Sequence, residues 1–298
     1  MSKFQDWEFK KTAQKGLTFS QNIGEYLSID ETSLSHGELY TIITNKEQKG
    51  KKGSLVAIVE GTKSENVIAE LQKIPLKLRK KVKEISLDLA PNMALIAKKS
   101  FPNAVQVTDR FHVQQLAADA LQDIRIKHRW EAIDAENEAI EQAKIKKKTY
   151  NPETLSNGDT LKQLLARSRY ILYKSKDDWS LSQQERADLL FEKYPDIKQA
   201  YNLTRSLSEI FSKTKDKIYA YTRLAKWHEM VDKSGFKSFN TISRTIMNNY
   251  TTILNYFDNR STNASAESFN AKIKAFRSQF RGVRDVNFFL FRIANLFA

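Results

Sequence analysis

The pattern of apolar and polar positions divides the chain into a strand-rich first part and a helical second part. Short runs rich in β-branched and aromatic residues alternate with polar turns before residue 110, as is typical of strands in a sheet. Five such runs predict strands, at residues 26–30, 39–44, 55–59, 85–89 and 104–107. Apolar residues at helical spacing after the third, fourth and fifth runs predict three helices.

The order of these elements, β-β-β-α-β-α-β-α, predicts an α/β fold in which helices pack on a mixed sheet in three layers. The first three strands follow one another through polar turns, so we expect an antiparallel meander. From about residue 116 to 245 the strand-like runs disappear and Leu, Ile and Ala recur at helical spacing, which predicts a large all-α insertion. The predicted divisions are a tail or linker at 1–22, the first part of the core at 23–120, the insertion at 121–245 and the final core helices at 246–298.

An apolar stripe at helical spacing predicts the helix that follows the insertion. Its members are Ala266, Phe269, Ile273, Phe276 and Phe280. Glu267 lies near the start of this helix on an adjoining face, ahead of a row of cations. These cations share a helix with Glu267, and we predict that they contact the phosphate groups of an anionic partner. They are Lys272, Lys274, Arg277, Arg281 and Arg284.

Composition and charge narrow the function classes. Lys and Arg number 49 against 35 acids, and the resulting charge of +14 favours a polyanionic partner such as nucleic acid. The chain contains no cysteine, which excludes disulfides, thiolate zinc sites and cysteine nucleophiles. No apolar run approaches the ~20 residues of a membrane span, and the amino terminus has no apolar leader. We therefore expect a cytoplasmic, nucleoid-associated protein that does not contact the membrane.

Three acids are candidates for metal chemistry: Asp30 at the end of the first predicted strand, Asp88 at the fourth, and Glu267 on the last helix. Mg²⁺ prefers oxygen ligands, and two such ions about 3.5–4 Å apart stabilise the attacking and leaving oxygens of a phosphoryl displacement. Each acid also has a simpler interpretation, as a strand end turning to solvent or a first-turn acid favoured by the helix dipole. Asp88 is the strongest single case, since an acid between Leu87 and Leu89 needs a partner.

Several blocks of sequence carry a resemblance to a known family. They read IDETS at 29–33, LDLAP at 87–91, VQVTDRFHV at 105–113, STNASAE at 261–267 and NAKIK at 270–274, continuing to Gly282, Arg284, Asn287, Phe288 and Arg292. From about Tyr26 onward the chain resembles the DDE transposases of bacterial insertion sequences, specifically the ISL-three group. The resemblance implies a ribonuclease-H-like fold with a helical insertion between the second and third acids. It also places the catalytic, metal-binding acids on Asp30, Asp88 and Glu267.

The same resemblance implies the reaction and its partners. Hydrolysis at the element ends would give a 3′-hydroxyl that attacks target DNA, with two Mg²⁺ ions for which Mn²⁺ can substitute. Because two ends must be paired, a homo-oligomer on DNA is expected. Relatives commonly carry an amino-terminal zinc module and a helix-turn-helix, so either a separate protein reads the element ends or this chain is a fragment. The alternatives are a non-catalytic DNA-binding relative and a ribonuclease-H-like nuclease or resolvase.

The block at 105–113 contains supporting candidates. Asp109 could reach the metal site or cap the following helix, and we favour capping or support of the site. His112 could contact a phosphate or orient Asp109, but a lone histidine beside Phe111 is more often structural. Arg110 is a further candidate for DNA binding. For three tryptophans of the insertion, core packing is favoured over stacking on an extruded base: Trp130, Trp179 and Trp227.

Overall fold

The computed structural model describes residues 2–8, 13, 15–33, 38–279 and 285–298. The chain divides into two compact units. The first, which we call the sheet unit, comprises Met1–His112 and Asn249–Ala298, and the second, the helical unit, comprises Val113–Asn248. The prediction of a mixed α/β protein with one sheet and many helices is confirmed.

The strands of the sheet unit are β1 (Gly16–Thr18), β2 (Tyr26–Ser33), β3 (Leu39–Asn45), β4 (Leu55–Glu60), β5 (Glu84–Leu87) and β6 (Val105–Thr108). The helices along the chain are α1 (Ser2–Gln5), α2 (Ser64–Gln72), α3 (Leu76–Arg79), α4 (Pro91–Ser100), α5 (Arg110–Ile145), α6 (Leu161–Arg167), α7 (Leu181–Lys193), α8 (Pro195–Lys213), α9 (Lys217–Ser234), α10 (Lys237–Asn248), α11 (Tyr250–Leu254), α12 (Tyr256–Asn259), α13 (Ala264–Gln279) and α14 (Val286–Phe297). Short 3₁₀ helices cover Ser20–Asn22, Lys46–Gln48, Ile171–Tyr173 and Lys176–Asp178.

The six strands form one mixed sheet in the order β1-β4-β3-β2-β5-β6. Strands β2, β3 and β4 form an antiparallel meander, and β1 pairs antiparallel with β4 at the edge. Strand β5 pairs parallel with both β2 and β6. Strand β1 lies within residues expected to be a tail or linker. Its three residues are too few to show a strand pattern in the sequence.

Helices cover both faces of the sheet. Helices α2 and α4 pack on one face, whereas α13 and α14 pack on the other. The neighbouring residues Ile42 and Ile43 of β3 belong to the two different apolar layers. A strand buried on both sides carries apolar residues at consecutive positions, which explains why the adjacent residues Ile42 and Ile43 are both apolar. The sheet unit therefore has the three layers that the element order predicted.

The helical unit contains most of α5 together with α6 to α10, and its described residues form no strand. Trp227 is buried and its indole N–H donates to the carbonyl of Leu203 at 2.9 Å. Trp179 is partly buried, with its ring centroid 5.6 Å from that of Tyr201. Trp130 is 59% exposed, so the expectation of core packing is wrong for this residue. None of the helices in the described ranges is both long and apolar enough to cross a bilayer.

A buried acid ties together three segments of the helical unit. Asp159 is fully buried and accepts a hydrogen bond from Arg186 Nε at 3.0 Å and another from Arg167 Nη1. Burial alone would raise the pKa of Asp159, but the hydrogen bonds and charges of the two arginines outweigh it and leave the pKa lowered. Thr160, the next residue, forms a reciprocal cap with Gln163 at the start of α6.

Candidate functional site

Two parallel strands position Asp30 and Asp88. In the pairing of β2 with β5, Ser28 lies opposite Ser86, two residues before each acid. The register therefore brings the two acids to equivalent positions on adjacent strands. Asp88 directly follows the last residue of β5. The prediction that the first strand ends at Asp30 is wrong, because β2 continues to Ser33 in its pairing with β3.

A third acid follows the next parallel strand. The backbone N–H of Asp109 donates to the carbonyl of Leu87 at 2.9 Å, which extends the pairing of β5 with β6. The Asp109 side chain is buried, and one of its oxygens accepts a hydrogen bond from the backbone N–H of Phe111 at 3.3 Å. This contact is the one expected of an acid that caps a helix. Asp109 thus lies at the start of α5, beside the end of β5.

Helix α13 carries Glu267 and is fixed to the sheet by side-chain amides. Asn263, just before the helix, donates to the carbonyl of Ile29 at 3.3 Å. Asn270, one turn after Glu267, donates to Asp30 Oδ2 at 2.7 Å. Because Glu267 lies between these two anchors in sequence, they hold its turn of the helix next to strand β2. Asn263 and Asn270 are both buried.

A partly buried lysine, Lys46, links the segment before α13 to strand β5. The amino group of Lys46 donates to Ser86 Oγ at 2.7 Å, to Glu84 Oε1 at 3.3 Å and to Ser261 Oγ. Asn259 donates to the other oxygen of Glu84 at 3.3 Å. Burial lowers the pKa of Lys46, although the charge of Glu84 opposes this shift. Sequence analysis did not identify this network, because its members are isolated polar residues without a local motif.

Three side chains come together closely enough to share a metal ion. Asp109, His112 and Glu267 each present one ligand atom, and these atoms lie within 4.8 Å of one another. The sequence had predicted Asp109 and His112 as supporting residues beside the triad of Asp30, Asp88 and Glu267. Asp30 and Asp88 are not part of this close group among the described residues, so their predicted roles as metal ligands stay predictions; all five residues belong to the sheet unit.

Burial and neighbouring acids raise the pKa of Asp30. Burial raises the pKa of Asp30 from 3.8 to about 6, while a hydrogen bond from the Glu31 backbone N–H at 2.8 Å and the charge of His112 partly oppose the shift. The negative charges of Asp88 and Glu267 make smaller contributions to the same total rise. The pKa of Glu267 is also raised, first by burial and then by the charge of Asp109.

The residues present fit a divalent cation. None of the described Lys or Arg side chains forms an ion pair with an acid of the site, although the chain carries a net charge of +14. The buried side-chain oxygen of Asn270 also has no hydrogen-bond partner. Carboxylate, amide and imidazole groups that lie together without a lysine or arginine partner among the described residues form a set that a divalent ion would satisfy.

The cations of α13 differ in their surroundings. Lys272 is exposed, but its amino group donates to the carbonyl of Gly50 at 2.9 Å, in the turn between β3 and β4. Lys274 is exposed and Arg277 is partly buried. Their predicted contacts with DNA stay predictions. Lys272 in addition has a structural role, since it links the helix to the neighbouring turn.

The remaining predicted DNA contacts divide into two groups. Arg110 lies at the start of α5, with its guanidinium carbon 5.7 Å from the centre of the Tyr256 ring. This distance fits a cation–π contact, which holds the arginine against α12. Arg281 and Arg284 lie outside the described residues.

Comparison with known proteins identifies the family. Residues 27–293, from β2 into α14, match the model of a transposase family, the DDE transposases of the ISL-three group. The chain is also similar to the transposase for insertion sequence element IS1001 of Bordetella parapertussis, with 23% identity over 275 residues. That match covers 92% of this chain and 61% of the relative, so the chain spans less than two thirds of the relative's length. Since the family match covers about nine tenths of the sequence, the chain belongs to the ISL-three group of DDE transposases.

Proposed function

We propose that this chain is the catalytic part of a DNA transposase, which cleaves DNA at the ends of a mobile element and joins them to target DNA. One observation carries the proposal: Asp109 at the end of β6 and Glu267 of α13 meet at His112, beside the strands that carry Asp30 and Asp88, and no described lysine or arginine pairs with these acids. The family supports the same reaction class.

The proposed fold is ribonuclease-H-like. The meander β2-β3-β4, followed by the parallel strands β5 and β6, supports this assignment. In this interpretation the helical unit is an insertion between β6 and α13. The chain therefore forms the whole helical unit before it returns to the sheet unit, where α13 carries Glu267.

In the proposed site, Asp30, Asp88 and Glu267 hold Mg²⁺ or Mn²⁺, and Asp109 and His112 lie close enough to contribute. A bound pair of such ions stabilises the attacking and leaving oxygens of a phosphoryl displacement. The protein orients the ligands for this role. Asp30 accepts hydrogen bonds from Asn270 and from the Glu31 backbone, which fix both of its oxygens.

The reaction draws its nucleophiles from water and DNA. In the first step water attacks the phosphorus at an element end, and the bond to the 3′ oxygen breaks to leave a 3′-hydroxyl. That hydroxyl then attacks a phosphorus of target DNA and releases a target 3′-hydroxyl. Lys274, exposed on the helix that carries Glu267, is placed to contact a backbone phosphate.

A plasmid assay tests the proposal. Supercoiled plasmid carrying the genomic sequences that flank the coding region is incubated with the full chain and Mg²⁺ or Mn²⁺, and nicked and joined products are sequenced. We expect Asp30→Asn, Asp88→Asn and Glu267→Gln to retain DNA binding and lose cleavage. Glu60→Gln, which changes an exposed acid at the end of β4, is the matched control and should cleave as wild type.

Each result has a definite meaning. Wild-type cleavage by any of the three variants would remove that residue from the site. DNA binding without cleavage by the wild-type chain would favour a non-catalytic relative, and cleavage without joining would favour a nuclease or resolvase. Loss of Mn²⁺ binding in Asp109→Asn or His112→Gln, but not in Asp88→Asn, would assign the ion to the Asp109, His112 and Glu267 group instead.

The proposed partners follow from the family. A homo-oligomer that pairs two element ends is expected on DNA. Because the chain spans 61% of its relative, recognition of the end sequence is proposed to depend on a further protein segment or a separate chain. Mixing experiments with labelled element ends, followed by sizing of the complexes, would show whether more than one copy binds.

A further inference from the structure

A cleft in the helical unit combines cationic and aromatic side chains. It has a volume of about 690 Å³ and is lined by α5, by the end of α6 and by the residues that follow it. Three arginines and three large aromatic residues line it: Arg125, Arg129, Trp130, Arg169, Tyr170 and Tyr173. A volume of this size suits a small ligand or one unit of a polymer.

The most informative residue of the cleft is a buried cation. Arg125 is only 4% exposed, and its guanidinium donates to Gln122 Oε1 at 2.7 Å and to the carbonyl of Leu165 at 2.9 Å. Both acceptors are neutral, and no carboxylate among the described residues lies within ion-pair distance. A buried charge without a counter-ion is costly, which points to an anionic ligand.

The arginines of the cleft are held close to one another. Gln122, also buried, accepts from Arg125 and donates from its amide to the backbone carbonyl of Arg169 at 3.1 Å. Burial lowers the pKa of Arg125, and the positive charges of Arg129 and Arg169 lower it further. The guanidinium groups repel one another in the unbound cleft. An anion that binds between them relieves this repulsion, and the relief favours binding.

The aromatic residues of the cleft face solvent. Tyr170 is 69% exposed, Trp130 59% and Tyr173 42%. The guanidinium carbon of Arg169 lies 5.5 Å from the centre of the Tyr170 ring, so a cation and a ring face are presented together. Exposed rings beside arginines are the combination with which proteins bind unpaired nucleotides, since the base stacks on the ring and the phosphate contacts the guanidinium.

Two acidic side chains also line the cleft and offset part of its positive charge. Asp119 and Asp123 are both exposed, and Asp119 accepts a hydrogen bond from the amide of Gln115 at 2.6 Å. Their charges are screened by water, whereas the charge of Arg125 is not. Arg129 and Arg169 are exposed as well, so Arg125 supplies the one unscreened charge among the described residues that line the cleft.

We propose that this cleft binds a phosphate and the adjoining unpaired base of single-stranded DNA. The inference rests on the proposed function only in taking DNA as the substrate. The phosphate contacts Arg125 and Arg169, and the base stacks on Tyr170 or Trp130.

Equilibrium binding by the full chain tests this assignment. A short fluorescein-labelled oligothymidylate and a duplex of equal length are titrated in EDTA, at fixed salt, with fluorescence anisotropy as the readout. We expect Arg169→Ala and Tyr170→Ala each to weaken single-strand binding about fivefold or more, and to change duplex binding less than about twofold. Tyr219→Ala, equally exposed on α9, and Arg244→Ala, exposed on α10, are the matched controls and should bind as wild type.

The buried arginine has its own test. Arg125→Gln removes the charge, so we expect weaker single-strand binding by a protein that is still folded, as judged by circular dichroism. Wild-type single-strand binding by folded Arg169→Ala, Tyr170→Ala and Arg125→Gln would overturn the proposal. Equal losses in the control variants would also overturn it, because the effect would then be general. Since EDTA prevents metal-dependent cleavage, these results are independent of whether the proposed nuclease chemistry holds.

Discussion

Replacing Asp30 by Asn should inactivate the proposed enzyme and at the same time stabilise its metal-free fold. The pKa of Asp30 is raised to about 6, first by burial and further by the charges of Asp88 and Glu267. A carboxyl group with a raised pKa favours the folded state when it is protonated. This contribution is fully present below the ordinary value of 3.8 and is lost as the pH rises through about 6. At pH 7.5 the ionised group therefore lowers the free energy of unfolding.

The size of the effect follows from the two pKa values. A change from 3.8 to about 6 lowers the free energy of unfolding by about 3 kcal/mol at pH 7.5 and about 1 kcal/mol at pH 4.5, relative to a group that never ionises. Asparagine keeps one acceptor oxygen, so it loses one of the two hydrogen bonds from Asn270 and Glu31, at about 1 kcal/mol. The net gain of Asp30→Asn is then about 2 kcal/mol at pH 7.5 and close to zero at pH 4.5.

Calorimetry in EDTA measures this gain. A gain of about 2 kcal/mol corresponds to a rise in Tm of about 4–8 °C for a unit of this size. Glu60→Gln serves as the control, since it removes an exposed acid from the same sheet. Addition of Mn²⁺ should reverse the order, because wild type gains a ligand that the variant binds poorly. A Tm for Asp30→Asn at or below that of wild type at pH 7.5, or a rise that is the same at pH 4.5, would refute the reasoning.

Other predictions concern the metal, the anchoring amide and the helical unit. Mn²⁺ should raise the Tm of wild type more at pH 7.5 than at pH 5, because protons compete for Asp30; a shift equal at both pH values would contradict this. Asn270→Leu removes the hydrogen-bond donor to Asp30. We expect cleavage to slow about 10–100-fold while DNA binding is unchanged. Cleavage at the wild-type rate would disprove the positioning role of Asn270. Asp159→Asn leaves Arg167 and Arg186 without their buried counter-charge and should destabilise the helical unit by about 3 kcal/mol in urea unfolding; an unchanged midpoint would show the ion pairs to be dispensable.

The sequence predicted those strands whose burial produces a recognisable pattern of apolar residues. Strands β3 and β4 are buried on both faces, so their apolar and β-branched residues could be recognised as strands in the sequence. Strand β1 was not predictable, because it has three residues and only Leu17 is fully buried. The end of β2 was misplaced for a similar reason. The residues after Asp30 pair only with β3, and a polar run such as Glu31 to Ser33 does not look like a strand.

Part of the candidate site could be proposed from the sequence alone. Asp30 and Asp88 could be chosen as candidates from local pattern, since each follows a run rich in apolar residues, and their role as metal ligands stays a prediction. The contact of Asn270 with Asp30 joins residues 240 positions apart, and only folding shows it. The exposure of Trp130 was unpredictable for a related reason. Its neighbours along α5 do not reveal which face of so long a helix is covered.

The order of segments in the chain has a consequence for synthesis. One apolar face of the sheet is covered by α13 and α14, yet 155 residues (109–263) lie between the end of β6 and the start of α13. At bacterial or eukaryotic translation rates, that face waits about 8–30 s on the ribosome before its cover emerges. During this interval the nascent chain exposes Ile42 and Ile58, which other polypeptides can contact. A chaperone bound to the sheet would prevent aggregation during this period. The same delay keeps Glu267 from Asp109 and His112, so the proposed metal site is incomplete in the growing chain until α13 has formed.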